Sequence, residues 1–490
     1  MPTPLSLHPD RALPTDPAVR AVARTIYEQT RSLPLICMHG HVDAGMLADN
    51  ADLGDPAQLL ITPDHYVTRM LVSQGIPAER LGVPRRDGAA VESDPRAIWR
   101  LFCENWHLFR GTPSRYWLEH ELFELFGVRV HPSAECADAI YDQIDAWLHE
   151  PAHRPQQLLG AFGIELISTT DPATSDLRHH ERLRNQGLGH TVVPTFRPDA
   201  VVHLDRPTWA QDVKELARLA ETDTSDYQGF LEALRRRRLA FVDAGALATD
   251  HGHLTADTEP LSSQDASRVY ADALSGEVEP AAVRAFAGHM LHVMAGMSRD
   301  DGLVMQIHPG VLRDHHAGTS DTYGHDTGFD IPVAAEYTRA LRPLLDAFGH
   351  QPTFRLILFT VDESTYSREL APLAGAYPSV RLGAPWWFLD SPDGMRRFRE
   401  LATETAGFYN TSGFVDDTRA FASIPARHDL SRRIDAGYLA RLVAEHRMLE
   451  DEAVETAVDL AHTLPRTAYA RPGTAYARPG SAYAPPAASV

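Results

Sequence analysis

A chain of 490 residues with 43% hydrophobic residues has room for one large barrel with an insertion, or for two to three domains. The formal net charge of -20 argues against non-specific nucleic-acid binding and means that an anionic substrate needs a local cationic group in its site. The three cysteines, Cys37, Cys103 and Cys136, are too few for a disulfide framework and indicate reduced thiols in the cytoplasm. We expect no signal peptide in Met1–Pro17 and no contact with a membrane, because no apolar run is long enough to span a bilayer.

The first predicted elements are an amphipathic helix over residues 18–32 and a short buried strand over residues 34–41, PLICMHGH. The strand ends in His-x-His. Side chains at positions i and i+2 of a strand point to the same side, so His39 and His41 face one point, which suits a divalent metal. Two hydrogen-bonded loop histidines would fit the same short pattern.

Residues 43–160 are rich in helical patterns and aromatic residues, without a convincing strand. We interpret this stretch as a helical insertion after the first strand, with a separate helical domain as the alternative.

Short apolar runs then alternate with helical segments from about residue 164 onward. The runs are GIELISTT (163–170), TVVPTFRP (191–198), LAFVDAG (239–245), LVMQIHPG (303–310), RLILFTVD (355–362), VRLGAPWW (380–387) and GFYNTSGFVDD (407–417). With the first strand they make about eight, and such alternation predicts a (β/α)8 barrel, an α/β fold of the TIM-barrel type. A doubly wound sheet is the alternative, but no Gly-rich dinucleotide loop follows the first strand.

The end of the chain repeats itself, with Thr-Ala-Tyr-Ala-Arg-Pro-Gly at 467–473 and again at 474–480. Many Pro and Gly and few aliphatic residues predict disorder, although a binding motif is an alternative. The predicted parts are 18–42 (first helix and strand), 43–160 (insertion), 161–460 (remainder of the barrel) and 465–490 (tail).

The active site of such a barrel lies at the carboxyl ends of its strands. The polar or aromatic residues at those ends are His39, His41, Asp171, Arg197, His308, Asp362, Trp386, Trp387, Asp417 and Arg419. The closing segment is the most informative, because Asp417 and Arg419 are two residues apart and the last strand of a barrel adjoins the first. Two imidazoles and a carboxylate suit Zn²⁺, Mn²⁺ or Fe²⁺ and leave coordination positions open, whereas a loop Asp–Arg ion pair is the structural alternative.

At this point the sequence resembles the uronate (glucuronate) isomerases of the amidohydrolase superfamily, from about residue 30 to about 440. The matching segments are HGH (39–41), DHYVTR (64–69), LFRGTPSRYWLEHEL (108–122), STTDP (168–172), PTFRPD (194–199), DHG (250–252), QIHPGVLRD (306–314), GHDTGFD (324–330), GAPWWFLD (383–390), DDTR (416–419) and ARHDLSRR (426–433). The chain departs from the family's usual pattern in having Gly40 in place of Cys and Thr418 in place of Ser.

The resemblance implies an aldose–ketose isomerase that interconverts D-glucuronate with D-fructuronate, and D-galacturonate with D-tagaturonate, by moving a proton between C2 and C1 through an enediol. It implies one divalent metal, most plausibly Zn²⁺, held by His39, His41 and Asp417. Tyr66 and Asp417 become acid/base candidates. Further cavity roles fall to three groups of side chains: Arg419 for the developing charge or the substrate, His308 and Trp386 for the pocket wall, and Arg197 for substrate contact.

Two other function classes remain open on the sequence alone. One is a metal-dependent hydrolase of the same superfamily, in which the metal activates water. The other is a non-catalytic protein that binds sugar acids. The choice between glucuronate and galacturonate, the metal's identity, the acid/base assignment and the oligomeric state, including a homo-oligomer, are not determined by the residues.

Overall fold

The computed structural model describes residues 2–471. Its strands are β1 (Leu35–Cys37), β2 (Ile164–Ser168), β3 (Asp171–Pro172), β4 (Val192–Val193), β5 (Phe196–Arg197), β6 (Ala248–His251), β7 (Val304–Ile307), β8 (Val311–Leu312), β9 (Ile331–Pro332), β10 (Leu356–Leu358) and β11 (Val380–Leu382). All of them pair in parallel except β8 and β9, which form a small antiparallel hairpin.

The parallel strands form one closed wall in chain order. β1, β2 and β4 pair in one sheet, and β3, β5, β6, β7, β10 and β11 pair in another. The two sheets are continuous because β3 extends the line of β2, and β5 extends the line of β4. A bridge from Leu382 to Thr411 adds the last wall segment. That segment returns to β1, since the backbone N–H of Asp417 donates to the His39 carbonyl at 3.1 Å. The predicted (β/α)8 barrel is confirmed.

One predicted strand is wrong. The run LAFVDAG at 239–245 lies in and just after the helix Tyr227–Asp243, and the fourth barrel strand is β6, a few residues later. A short apolar run does not distinguish a buried helix from a buried strand. Here Phe230, Leu234 and Phe241 recur at helical spacing and are fully buried. The predicted closing strand, 407–417, is not a regular strand and contributes the bridge at Thr411 and the backbone hydrogen bond from Asp417 to His39.

Helices surround the wall, and many begin at a side-chain cap. In the stretch 43–161 they are Ala44–Asp49, Pro56–Leu60, His65–Val72, Pro95–Glu104, Pro113–His120, Ala137–Leu148 and Pro155–Ala161. The others are Pro17–Thr30, Arg178–Asn185, Asp199–Val202, Trp209–Ala220, Tyr227–Asp243, Ser263–Ser275, Pro280–Asp301, Ala317–Tyr323, Arg342–Phe348, Ala371–Ala376, Pro392–Ala406, Ile424–Ala444, Glu450–Val458 and Leu464–Ala468. Within the described residues, no helix has both the length and the apolar character that crossing a membrane requires.

The stretch 43–160 has a core of its own, built around buried aromatic residues such as Trp99, Phe102 and Phe109. No named strand lies in this part of the described chain. This content agrees with a helical insertion, while its exact boundaries stay a prediction.

The inside of the barrel is filled by one side chain from most strands, a layer that includes Ile36, Leu166, Val193, Ala248, Val304 and Ile357. Ala468 and Tyr469 belong to the same cluster. The sequence predicts a disordered tail from residue 465, but residues 465–471 are ordered and packed against the barrel. The rest of that tail, 472–490, lies outside the described residues.

Candidate active site

A cavity of about 790 Å³ opens at the carboxyl ends of the barrel strands. Nine residues singled out from the sequence line it together: His39, His41, Tyr66, Arg197, His308, Trp386, Trp387, Asp417 and Arg419. Asp171 and Asp362 do not line it: Asp171 accepts a hydrogen bond from Thr169 Oγ1, and Asp362 accepts one from the backbone N–H of Ser364.

Two imidazoles and one carboxylate converge at the seam where the last wall segment meets β1. Asp417 Oδ1 lies 3.4 Å from His39 Nε2 and 3.1 Å from His41 Nε2. The backbone of Asp417 is left-handed, with φ of 41°, which is uncommon for a residue other than glycine. This conformation places the carboxylate toward the histidines, and strained positions of this kind cluster at functional sites.

The electrostatics of this group favour a cation. Burial raises the pKa of the Asp417 carboxyl, but the His39 and His41 imidazoles beside it outweigh burial and hold the pKa well below its usual range. Burial lowers the pKa of His39, but the neighbouring carboxylates of Asp250 and Asp417 raise it to about 9. The buried, ionised Asp417 carboxylate faces two imidazoles, and several divalent metals accept this donor set once His39 has lost its proton.

A second group of buried side chains supports Asp417 from behind. His428 Nε2 lies 3.2 Å from Asp416 Oδ2 and 3.6 Å from Cys37 Sγ. Arg427 donates to the backbone carbonyl of Asp416 at 3.3 Å. Because Asp416 precedes Asp417, these contacts hold the backbone on which the left-handed residue sits.

Asp250, at the end of β6, is the main site residue that sequence reasoning missed. It is 0% exposed, and its Oδ1 lies 2.7 Å from His308 Nε2. Its Oδ2 lies 3.4 Å from Arg197 NH1, and Arg197 Nε donates to Asp199 at 3.0 Å. Burial raises the pKa of Asp250, but the charges of His308, His39 and Arg197 lower it well below its usual value. The motif DHG at 250–252 carries the signal, but the apolar run predicts the strand at 239–245 instead.

Tyr66 reaches the cavity from the insertion because Asp64 caps its helix, accepting from the Tyr66 backbone N–H at 2.8 Å. The Tyr66 ring packs at 5.7 Å from the Trp117 ring. Among residues 2–471, its hydroxyl has no hydrogen-bond partner. Burial raises the pKa of Tyr66 well above its ordinary value, so the hydroxyl is a proton donor at neutral pH.

Arg419 and Trp386 complete the cavity wall. Arg419 NH2 lies 3.2 Å from Asp326 Oδ2, a loop carboxylate that the sequence did not single out. The Trp386 ring lies 5.1 Å from the His308 ring and 6.3 Å from the His39 ring, centroid to centroid. Trp386, Arg197 and Arg419 line the same cavity, an arrangement that can accept a polar, anionic ligand with an apolar face.

Comparisons with known proteins give one answer over nearly the whole chain. A family model described as glucuronate isomerase matches residues 18–464. A uronate isomerase from Phenylobacterium zucineum is 53% identical over 469 residues, which is 96% of this chain and 98% of that protein. One from Rhizobium meliloti is 52% identical over 94% of this chain and 99% of that protein.

Two solved structures share both the fold and a detectable sequence identity with this chain. The glucuronate isomerase from Caulobacter crescentus has a TM-score of 0.93 at 49% identity, covering 95% of this chain and 97% of that one. The uronate isomerase from Thermotoga maritima has a TM-score of 0.88 at 26% identity, covering 95% and 99%.

Proposed function

Because this chain belongs to the glucuronate isomerase family, we propose that the cavity at the carboxyl ends of its strands is where it isomerises hexuronates. The chain is a uronate isomerase that converts D-glucuronate to D-fructuronate and back. Relatives of about half identity over nearly the full length favour this activity over the hydrolase and over a non-catalytic binding protein. Conversion of D-galacturonate to D-tagaturonate by the same site is our further proposal.

The reaction moves one proton from C2 to C1 of the open-chain sugar through an enediol, without net oxidation. It therefore needs an acid and a base near those carbons, a group that stabilises the enediolate, and a grip on the distant carboxylate. The cavity offers a candidate for each task.

We assign one divalent metal, most plausibly Zn²⁺ with Mn²⁺ or Fe²⁺ as alternatives, to His39, His41 and Asp417. The fit rests on the buried His39 Nε2 and Asp417 Oδ1, which have no hydrogen-bond partner among residues 2–471. When bound, such a cation stabilises negative charge on a substrate oxygen. The low pKa of Asp417 keeps it ionised, as a ligand must be.

Tyr66 and Asp417 are the proposed acid/base pair. The buried hydroxyl of Tyr66 keeps its proton and faces the cavity, so it can donate to a substrate oxygen or carbon. The ionised carboxylate of Asp417 is the proposed proton acceptor. His308, held by Asp250, can hydrogen-bond a substrate hydroxyl.

Arg419 and Arg197 are the proposed anion contacts. A guanidinium binds a carboxylate with two parallel hydrogen bonds, which fixes its orientation as well as its position. These local cations counter the acidic character of the whole chain, whose net charge of -20 repels a uronate. Trp386 packs against the sugar face between them.

The test is ketose formation by the purified full-length protein, with D-glucuronate and D-galacturonate in separate reactions and a chelated sample as control. We expect ketose from D-glucuronate and loss of the activity on chelation. Ketose that persists after verified removal of the metal would refute the metal's role while leaving the isomerase. No ketose from either sugar with metal bound would refute the proposed activity.

We also propose that the enzyme works in the cytoplasm on this small-molecule substrate. The support is the state of the three cysteines, all buried and free of disulfides, which suits a reducing compartment.

A further inference from the structure

The last described residues close the end of the barrel opposite the cavity. After the helix Leu464–Ala468, Tyr469 enters the barrel and is 0% exposed. Arg355, which precedes β10, donates to the Ala468 carbonyl at 3.2 Å. Arg471 donates to the carbonyl of Asp301, shortly before β7, at 2.7 Å. The anchors lie at the amino ends of strands, so this segment forms the barrel floor.

The Tyr469 side chain extends from that floor to the middle of β7. Its hydroxyl donates to Gln306 Oε1 at 2.8 Å. The same oxygen lies 3.1 Å from His39 Nδ1. Gln306 is 0% exposed, so no solvent competes for either contact. Tyr469, Gln306 and His39 thus form one buried chain of hydrogen bonds.

The orientation of the Gln306 amide follows from its third contact. Gln306 Nε2 lies 3.4 Å from the Thr249 carbonyl, which can only accept. Turning the amide over would place two oxygens against each other there. Oε1 is therefore the atom that faces His39, and as a carbonyl oxygen it only accepts.

The consequence falls on His39. Since Gln306 Oε1 accepts, His39 Nδ1 carries a hydrogen, and the lone pair of the neutral ring is on Nε2. Nε2 is the atom that lies 3.4 Å from Asp417 Oδ1. Hydrogen bonds behind a histidine ligand fix its tautomer and ring orientation in this way.

We propose that Tyr469 and Gln306 are positioning residues for metal binding, with Tyr469 orienting Gln306 and Gln306 orienting His39. This inference rests on the proposed role of His39 as a ligand. It makes Tyr469, which enters from the barrel end opposite the cavity, part of the machinery that binds the metal. Burial raises the pKa of Tyr469 well above its usual value, so its hydroxyl remains a donor across the working pH range.

The sequence supplies a matched control. Tyr469 is the tyrosine of the first Thr-Ala-Tyr-Ala-Arg-Pro-Gly copy, and Tyr476 holds the same position in the second. Phenylalanine at either position removes one hydroxyl and keeps the ring. Comparing Tyr469→Phe with Tyr476→Phe therefore separates loss of the hydroxyl that contacts Gln306 from loss of the equivalent hydroxyl in the second repeat.

The experiment measures Zn²⁺ affinity of the full-length, metal-stripped protein by competition with a chromophoric chelator, together with the melting temperature of the metal-free form. Removing a hydrogen bond behind a histidine ligand typically costs about 10–100-fold in metal affinity. We expect Gln306→Leu to reach that range. Tyr469→Phe acts one residue further away and should weaken Zn²⁺ binding about threefold to tenfold. Tyr476→Phe should not change it.

Two further variants keep the result decisive. In the Gln306→Leu background, adding Tyr469→Phe should cost nothing more, because Tyr469 acts through Gln306. A lower melting temperature for Tyr469→Phe with unchanged Zn²⁺ affinity would show a purely structural role and overturn the inference, as would equal losses in Tyr469→Phe and Tyr476→Phe. His39→Ala must abolish tight binding. If it does not, the ligand assignment itself fails, a result distinct from an effect confined to Tyr469.

Discussion

His308 Nε2 lies 2.7 Å from Asp250 Oδ1, so a histidine at the end of β7 is held by a fully buried carboxylate at the end of β6. The same carboxylate lies 3.8 Å from His39 Nδ1 and 3.4 Å from Arg197 NH1. One buried carboxylate thus places its charge beside three groups that line the cavity. Asp250 itself does not line it, and its effect is transmitted through those groups.

Asp250→Asn should lower kcat/KM for D-glucuronate by about 100-fold, because it removes the charge that holds His308 and Arg197. Ketose formation measures it. Asp300→Asn, a surface change at a side chain that is 63% exposed, is the control and should leave activity unchanged. Activity within twofold of wild type for Asp250→Asn would contradict the role of Asp250.

Asp417→Asn should lower both the bound metal and the activity, since it replaces the only carboxylate of the proposed ligand set while keeping the side chain's size. Losing one of three protein ligands should cut metal affinity by at least about 100-fold. Metal content after dialysis, measured by elemental analysis, checks it. Full metal content together with lost activity would instead assign Asp417 to proton transfer alone.

Arg419→Met should lower kcat/KM by about 100-fold or more, mostly through a higher KM, because a substrate carboxylate loses a charged partner. Asp326→Asn removes the partner that lies 3.2 Å from Arg419 and keeps the arginine itself. We expect its KM to change less than about fivefold. If the two variants were equally impaired, Arg419 would depend on the ion pair for its position.

Glu121→Gln should stabilise the protein at pH 8 and not near pH 4.5. Burial raises the pKa of Glu121 to about 8, so between pH 4.5 and 8 the unfolded chain releases a proton that the folded protein keeps. Folding stability falls as pH rises through that window, and glutamine removes the penalty, on the order of 4 kcal/mol at pH 8. Urea denaturation at both pH values measures it, and the exposed Glu124→Gln is the control. An equal effect at both pH values would exclude proton linkage as the cause.

The sequence predicted the barrel and most of the cavity because strand alternation is a local property. His39 and His41 face one point because side chains two residues apart in a strand point to the same side. Asp417 joins them because the last segment of a barrel adjoins the first. Asp250 was missed because an apolar helix end and a buried strand have the same composition over seven residues. Asp326 was missed because its role depends on where a loop folds back.

Tyr469 shows a different limit. Its heptapeptide has the composition of a disordered segment, and composition averages over neighbours. One aromatic side chain that fits a cavity between strand ends is enough to bury the residue, and that fit exists only in the finished barrel.

Because the first and last segments of the barrel are neighbours, the barrel and its metal site can form only late in synthesis. His39 leaves the ribosome early, yet its neighbour Asp417 follows only after all the strands between them, and Tyr469 comes later still. Until then the nascent chain exposes an open row of parallel strands with an unpaired edge, the state most prone to wrong association. We therefore expect that a ribosome stalled before residue 417 carries no metal site at all.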